Sequence, residues 1–129
     1  MKRELGIIRD TKLGIEDHGI MTFFLYFDFG GTSQGFGGYS LDDAPEKKEV
    51  GSHRRGTAFG CEVIMRILEA VGVDNWEDLV GKEMWVIRED DSFNAMIRGI
   101  EAPKYRKRAG RPFNIKELAK QFKSKEAQS

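Results

Sequence analysis

Between Ile20 and Phe29 the apolar positions fall on every second residue. Met21, Phe23, Leu25, Phe27 and Phe29 make one wholly apolar face, while Thr22, Tyr26 and Asp28 interrupt the other. Period two over this length predicts a half-buried strand. A weaker alternation over Lys2–Arg9 predicts a first strand, ending at a turn through Asp10-Thr11-Lys12, with a further turn between Gly14 and Gly19. Residues 35–41 predict a third strand, paired as a hairpin after Gly30-Gly31. The stretch 42–56, with proline, two glycines and dense mixed charge, predicts an exposed, mobile loop. The period then changes. Cys61, Ile64, Met65, Leu68 and Val71 recur at helical spacing, Thr57 supplies an N-cap and Gly72 a stop. Asp74 and Glu77 have the spacing of a capping box opening a short helix that ends near Gly81. Strands over 84–88 and 93–100 follow, turning through Asp90-Asp91. Pro103 opens a basic loop, and Asn114 with Glu117 caps a last helix bearing Ile115, Leu118, Ala119 and Phe122. The expected fold is α+β: one domain over 1–129, an antiparallel sheet of two hairpins plus the N-terminal strand, packed by two to three helices.

Composition agrees with that reading. The chain has 129 residues, 40% hydrophobic and 33% charged, enough to bury one core without a disulfide or metal. No apolar run approaches the roughly 20 residues that span a bilayer. The opening MKRELGIIRD lacks the apolar stretch of a secretory leader. Its single cysteine, Cys61, excludes an internal disulfide, suits a reducing cytoplasm and is expected to be buried. The zero net charge hides an asymmetry: nine Lys or Arg between Lys104 and Lys125 stand against Glu117 alone. A basic C-terminal segment, 101–129, thus follows an acidic body, a distribution that suits an anionic partner.

Candidate chemistry is sparse. Five glycines crowd positions 30–38, yet the dinucleotide spacing begun at Gly35 reaches Ser40 where glycine is needed, and no Gly-Lys-Ser or Gly-Lys-Thr follows. Those glycines are expected to serve turns or a close backbone approach. His18 has carboxylates beside it but no nucleophile, and His18, His53 and Cys61 share no metal-ligand spacing. No catalytic residue, metal or cofactor is therefore expected. In KYRKRAGRPF the guanidiniums of Arg106, Arg108 and Arg111 accompany Tyr105 and Phe113, a combination suited to phosphate oxygens and flat rings. Asn94 is a candidate reader of a base edge. Arg54 and Arg55, ahead of Thr57, offer a second anion site at a helix N-terminus.

Two long segments, LGIEDHGIMTFFLYFDFGGTSQGFGGYSLD and RRGTAFGCEVIMRILEAVGVDNWEDLVGK, resemble a family of small proteins encoded by phages and prophages. Its recurring words are of the types EDHG(I/F)(M/F)T, GQGFGGY (here SQGFGGY) and GTA(F/Y)G. The match runs from about Leu13 to Arg88 and returns at PFNIKELA, whereas 101–112 is longer and more basic than in short members. By size and β-rich make-up the chain is also similar to the Thoeris anti-defence sponge proteins of the first type. That resemblance implies an oligomer that traps a cyclic ADP-ribose-type immune signal without cleaving it. Asn94 and Arg111 are its implied ligand contacts, and Met84 stands where an aromatic would help. The expected ligand set is then Arg106, Arg108 and Arg111, or Arg54 and Arg55, for phosphates, Asn94 for a base, and Tyr39, Trp85 or Phe93 for stacking, in a pocket closed between subunits. Two alternatives are an inhibitor that binds a host defence protein, such as a CRISPR effector, and a nucleic-acid-binding accessory protein. All three act in the host cytoplasm without a membrane.

Overall fold

The computed structural model describes residues 3–16, 19–43, 54–92 and 95–128, with side chains as far as 123. Five strands and a short sixth form one antiparallel sheet: β1 (Arg3–Glu16), β2 (Ile20–Asp28), β3 (Ser33–Gly37), β6 (Glu83–Arg88), β7 (Ile97–Glu101) and β8 (Phe113–Asn114). Their order is β3-β2-β1-β6-β7-β8. A ribbon of β4 (Asp42–Asp43) and β5 (Arg55–Gly56) stands apart, and the helices are α1 (Ala58–Val71) and α2 (Ile115–Gln128). The α+β class and the antiparallel sheet are those the sequence predicts.

The sheet is two-faced. Phe23, Leu25 and Phe27 of β2, Ile8 of β1, Met84 and Val86 of β6 and Ile100 of β7 are fully buried on the face that meets the helices. Period two puts Leu5, Ile7, Phe24, Tyr26, Trp85 and Ile87 on the opposite face, where they are exposed or half-buried.

Several boundaries differ from expectation. Asp10-Thr11-Lys12 is not a turn: β1 runs on to Glu16, and the chain absorbs Arg9 as a bulge between Ile8 and Asp10. The third strand occupies Ser33–Gly37, earlier than 35–41. The predicted loop 42–56 is structured at both ends, where Asp42 pairs with Gly56 and Asp43 with Arg55; its residues 44–53 lie outside those described. The Asp74–Glu77 box does not form. A 3-10 turn, Trp76–Leu79, starts after Asn75, whose amide Nδ2 donates to Asp78 Oδ2 at 3.3 Å.

Helix α1 has the predicted ends but a different buried face. Thr57 Oγ1 accepts from Gly60 N at 2.9 Å, and Gly72 closes the helix with φ 88°. The core contacts are Gly60, Val63, Ile67, Ala70 and Val71, whereas Met65 is 59% exposed and Cys61 is exposed rather than buried. The cause is tertiary. The entry to β4 crosses the helix so closely that a Cβ on Gly60 would sit 2.0 Å from Leu41 O, so the helix turns its smallest residue to that crossing.

Candidate functional site

The basic segment lies across the C-terminal end of α1. Four carbonyls at a helix end have no partner within the helix, and positive charge is favoured there. Gly72 N and Val73 N cover Leu68 O, at 2.8 and 3.1 Å. The basic strap covers others. Gly110 N donates to Glu69 O at 2.8 Å, and Arg106 Nη1 donates to Val71 O at 3.2 Å. Arg106 Nη2 also reaches Glu83 O at 2.7 Å, tying the helix end to β6. Outside this contact, Arg111 Nε meets Glu69 Oε1 at 3.1 Å and Arg108 pairs with Asp74. The Arg108 guanidinium holds the Asp74 carboxyl below its ordinary range. Tyr105 Oη donates to Glu83 Oε1, which pushes the phenol upward. Each of the three predicted arginines of this segment therefore already has an acidic or carbonyl partner in its own chain.

The other predicted residues are dispersed. Tyr39 packs beside Phe23 and Phe36, and its Oη accepts from Arg98 Nη1 at 2.7 Å. Trp85 is half-buried on the sheet face opposite the helices, beneath the Arg3 guanidinium, 4.7 Å from the ring centre. Met84 is fully buried in the core. Phe93 and Asn94, with His18 and His53, lie outside the described residues. Among the described residues no group of three or more His, Cys, Asp or Glu is placed to hold a metal. None of the described helices is long and apolar enough to cross a membrane.

Arg54 and Arg55 divide by partner. Arg54 grips the buried Asp42 carboxylate with two bonds, Nε to Oδ2 at 2.7 Å and Nη2 to Oδ1 at 3.1 Å. Asp42 Oδ1 also accepts from Met21 N at 3.2 Å and Ser40 Oγ at 3.0 Å. The Arg54 hydrogen bond, opposed by burial and aided by these donors, holds the Asp42 carboxyl below the usual carboxylate range. A carboxyl depressed in the fold stabilises it above the ordinary carboxylate pKa, and that contribution is lost as pH falls through the folded value. Wild-type protein is expected to lose urea resistance as pH drops from about 5 toward 3, and Asp42→Asn to flatten that slope while lowering stability at neutral pH. Urea titrations of both proteins at several pH values check this.

Arg55, by contrast, lines a cleft of about 660 Å³ between the β4–β5 ribbon, the first turn of α1 and one face of α2. Thr57, Ala58 and Phe59 form one wall, and Ala119, Phe122 and Lys123 the other. The Phe59 and Phe122 rings meet edge to face, 5.5 Å between centres, joining the two helices at the cleft. The first turn of α1 carries no acidic residue. Thr57 caps Gly60 N and Cys61 N bonds Thr57 O, so the Ala58 and Phe59 amides are left at the positive end of the helix. With Asp42 neutralised by Arg54, the charges that the described residues place on the cleft are Arg55 and Lys123 against Asp43. The sequence pattern points to Arg55 and Thr57 but not to Lys123, Phe59 and Phe122, which α1 and α2 bring together although Phe59 and Phe122 are 63 residues apart. The chain matches no protein-family model, no curated protein and no solved structure.

Proposed function

We propose that this chain is a phage-encoded anti-defence protein that binds and sequesters an anionic cyclic-nucleotide signal of the cyclic ADP-ribose type, without cleaving it. The observation that carries the reading is the cleft at the start of α1, where Arg55, Lys123 and two helix-end amides surround the Phe59–Phe122 pair. Its volume, about 660 Å³, is that of a small-molecule site. Arg55 and Lys123 supply charge for phosphate oxygens, the helix end adds a favourable potential, and the rings offer a flat apolar wall. These groups hold an anion; none of them is a nucleophile set against a base. Of the two arginine sets expected from sequence, the geometry favours the one that includes Arg55, since Arg106, Arg108 and Arg111 are engaged along α1's other end.

Calorimetry with cyclic ADP-ribose isomers and cyclic dinucleotides tests this reading. One of them is expected to bind at micromolar concentration or tighter and to be recovered chemically unchanged. Arg55→Glu with Lys123→Glu is expected to weaken it by about a hundredfold, two charge-assisted contacts being turned repulsive. Absence of binding, or turnover of the ligand, overturns the reading. The sheet face opposite the helices, where Tyr26 and Ile7 are exposed and Trp85 and Leu5 half-buried among the described residues, favours a second reading, an inhibitor of a host defence protein. Recovery of a stoichiometric protein partner with no small molecule distinguishes it.

A further inference from the structure

Strand β1 outruns its neighbour. It pairs with β6 only over Arg3–Ile7, and Ile8 completes that side by donating to Lys82 O and accepting from Gly81 N. Beyond the bulge, Asp10–Glu16 pair with β2 on one side, and among the described residues no strand pairs with the other. Ladder parity fixes which groups this leaves open. On β2, Met21 O and Phe23 O accept from Leu41 and Gly38, so its odd residues bond away from β1 and its even ones toward it. The β1 partners of those even residues are Asp10, Lys12, Gly14 and Glu16. The N–H and C=O groups of Thr11, Leu13 and Ile15 therefore point out of the sheet edge, and Thr11 N meets Asp10 Oδ1 at 2.9 Å instead of a strand. Such an edge is a template for another strand.

We propose that two copies of this chain join these edges, antiparallel, about a two-fold axis at Gly14, making one continuous sheet. Charge selects the register. With the two Gly14 residues opposite one another, Lys12 stands opposite Glu16 of the partner subunit and Leu13 opposite Ile15 of the partner subunit, each pair occurring twice by symmetry. Setting Leu13 opposite itself instead brings Asp10 against Glu16, and setting Lys12 opposite itself brings two ammonium groups together. Within one chain Lys12 Nζ already reaches Glu16 Oε1 at 2.6 Å across the side-chain gap at Gly14, so both groups are aligned on one face of the strand. The pairing also gives Ile15, 66% exposed in the single chain, an apolar neighbour. This interface is independent of the proposed ligand, since the cleft lies at α1 and α2.

Sedimentation equilibrium over roughly a hundredfold range of concentration is expected to show a dimer. Lys12→Glu or Glu16→Lys turns two attractive pairs repulsive and is expected to weaken dimerisation about tenfold, whereas the double exchange restores it. Register has its own probe. The Gly14 pair is not hydrogen-bonded, which puts its Cα atoms at about the spacing a disulfide spans, and nothing lies within 4 Å of a Cβ there. In a Cys61→Ser background, Gly14→Cys is expected to oxidise to a covalent dimer, while Thr11→Cys stays monomeric on a reducing-agent-free gel. A monomer at every concentration overturns the proposal. So does a dimer indifferent to the charge changes and not cross-linked through residue 14.

Discussion

Replacing Gly37 by alanine is expected to lower the unfolding free energy by on the order of 3–4 kcal/mol, the sum of a strained backbone and a backbone clash. Gly37 ends β3 with φ 143°, and a Cβ there would sit 2.1 Å from Phe23 O and 2.9 Å from Phe24 Cα. Neither obstacle is the end of a flexible side chain; both belong to β2, whose Phe23 O already accepts from Gly38 N at 2.9 Å. The substitution must push β3 away from β2, and β3 carries Phe36, which is almost wholly buried among Phe23, Tyr39 and Phe113. Gly35→Ala is the control. Its Cβ would lie 3.5 Å from the Tyr26 ring, an ordinary contact, at normal φ. There the change is expected to stay within about 1 kcal/mol, since less unfolded-state entropy offsets small strain. Urea unfolding of the two variants beside wild type measures both, and equal stabilities would show that β3 does not need this close approach.

The same glycines show where local sequence stops being informative. Their density excludes the known phosphate loops by spacing alone, but which of them touches a neighbouring strand depends on β2, whose register is a tertiary fact. Features closed within a few residues were legible: the alternation of β2, the Thr57 and Gly72 ends of α1, and the Asn114 cap that accepts from Glu117 N at 3.1 Å. The length of β1 was not, because Asp10-Thr11-Lys12 is poor strand sequence. It is held extended by pairing with Tyr26, Leu25 and Phe24, the strongest strand in the chain. The buried face of α1 lies about one residue from the one its spacing predicts, because amphipathicity fixes a stripe only to within its breadth and the Leu41 crossing at Gly60 decides the rest. The cleft follows the same rule. Arg55 and Thr57 are neighbours in sequence and were found together, whereas Lys123 and Phe122 arrive on α2 and carry no local sign of their destination.

Arg106→Met is expected to destabilise the fold by about 2–3 kcal/mol, whereas Arg108→Ala and Arg111→Ala each cost about 0.5 kcal/mol or less. From sequence the three guanidiniums of the strap are alike. In the fold they differ in what they leave behind. Arg106 is half-buried and donates to Val71 O and Glu83 O; methionine keeps much of its packing stem but leaves without that donor the carbonyl of fully buried Val71 and that of half-buried Glu83. Arg108 and Arg111 are 68% and 62% exposed, and their carboxylate partners return to solvent when they are removed. Urea unfolding separates the two classes, and Arg106→Met with wild-type stability would show that the strap is not anchored through this side chain. The distinction governs any binding measurement on the basic segment. Lost ligand affinity in Arg108→Ala with Arg111→Ala, on a protein of unchanged stability, reports a contact with ligand. The same loss in Arg106→Met reports first on the junction of α1 and β6, because that guanidinium joins the helix end to the strand whether or not an anion is bound.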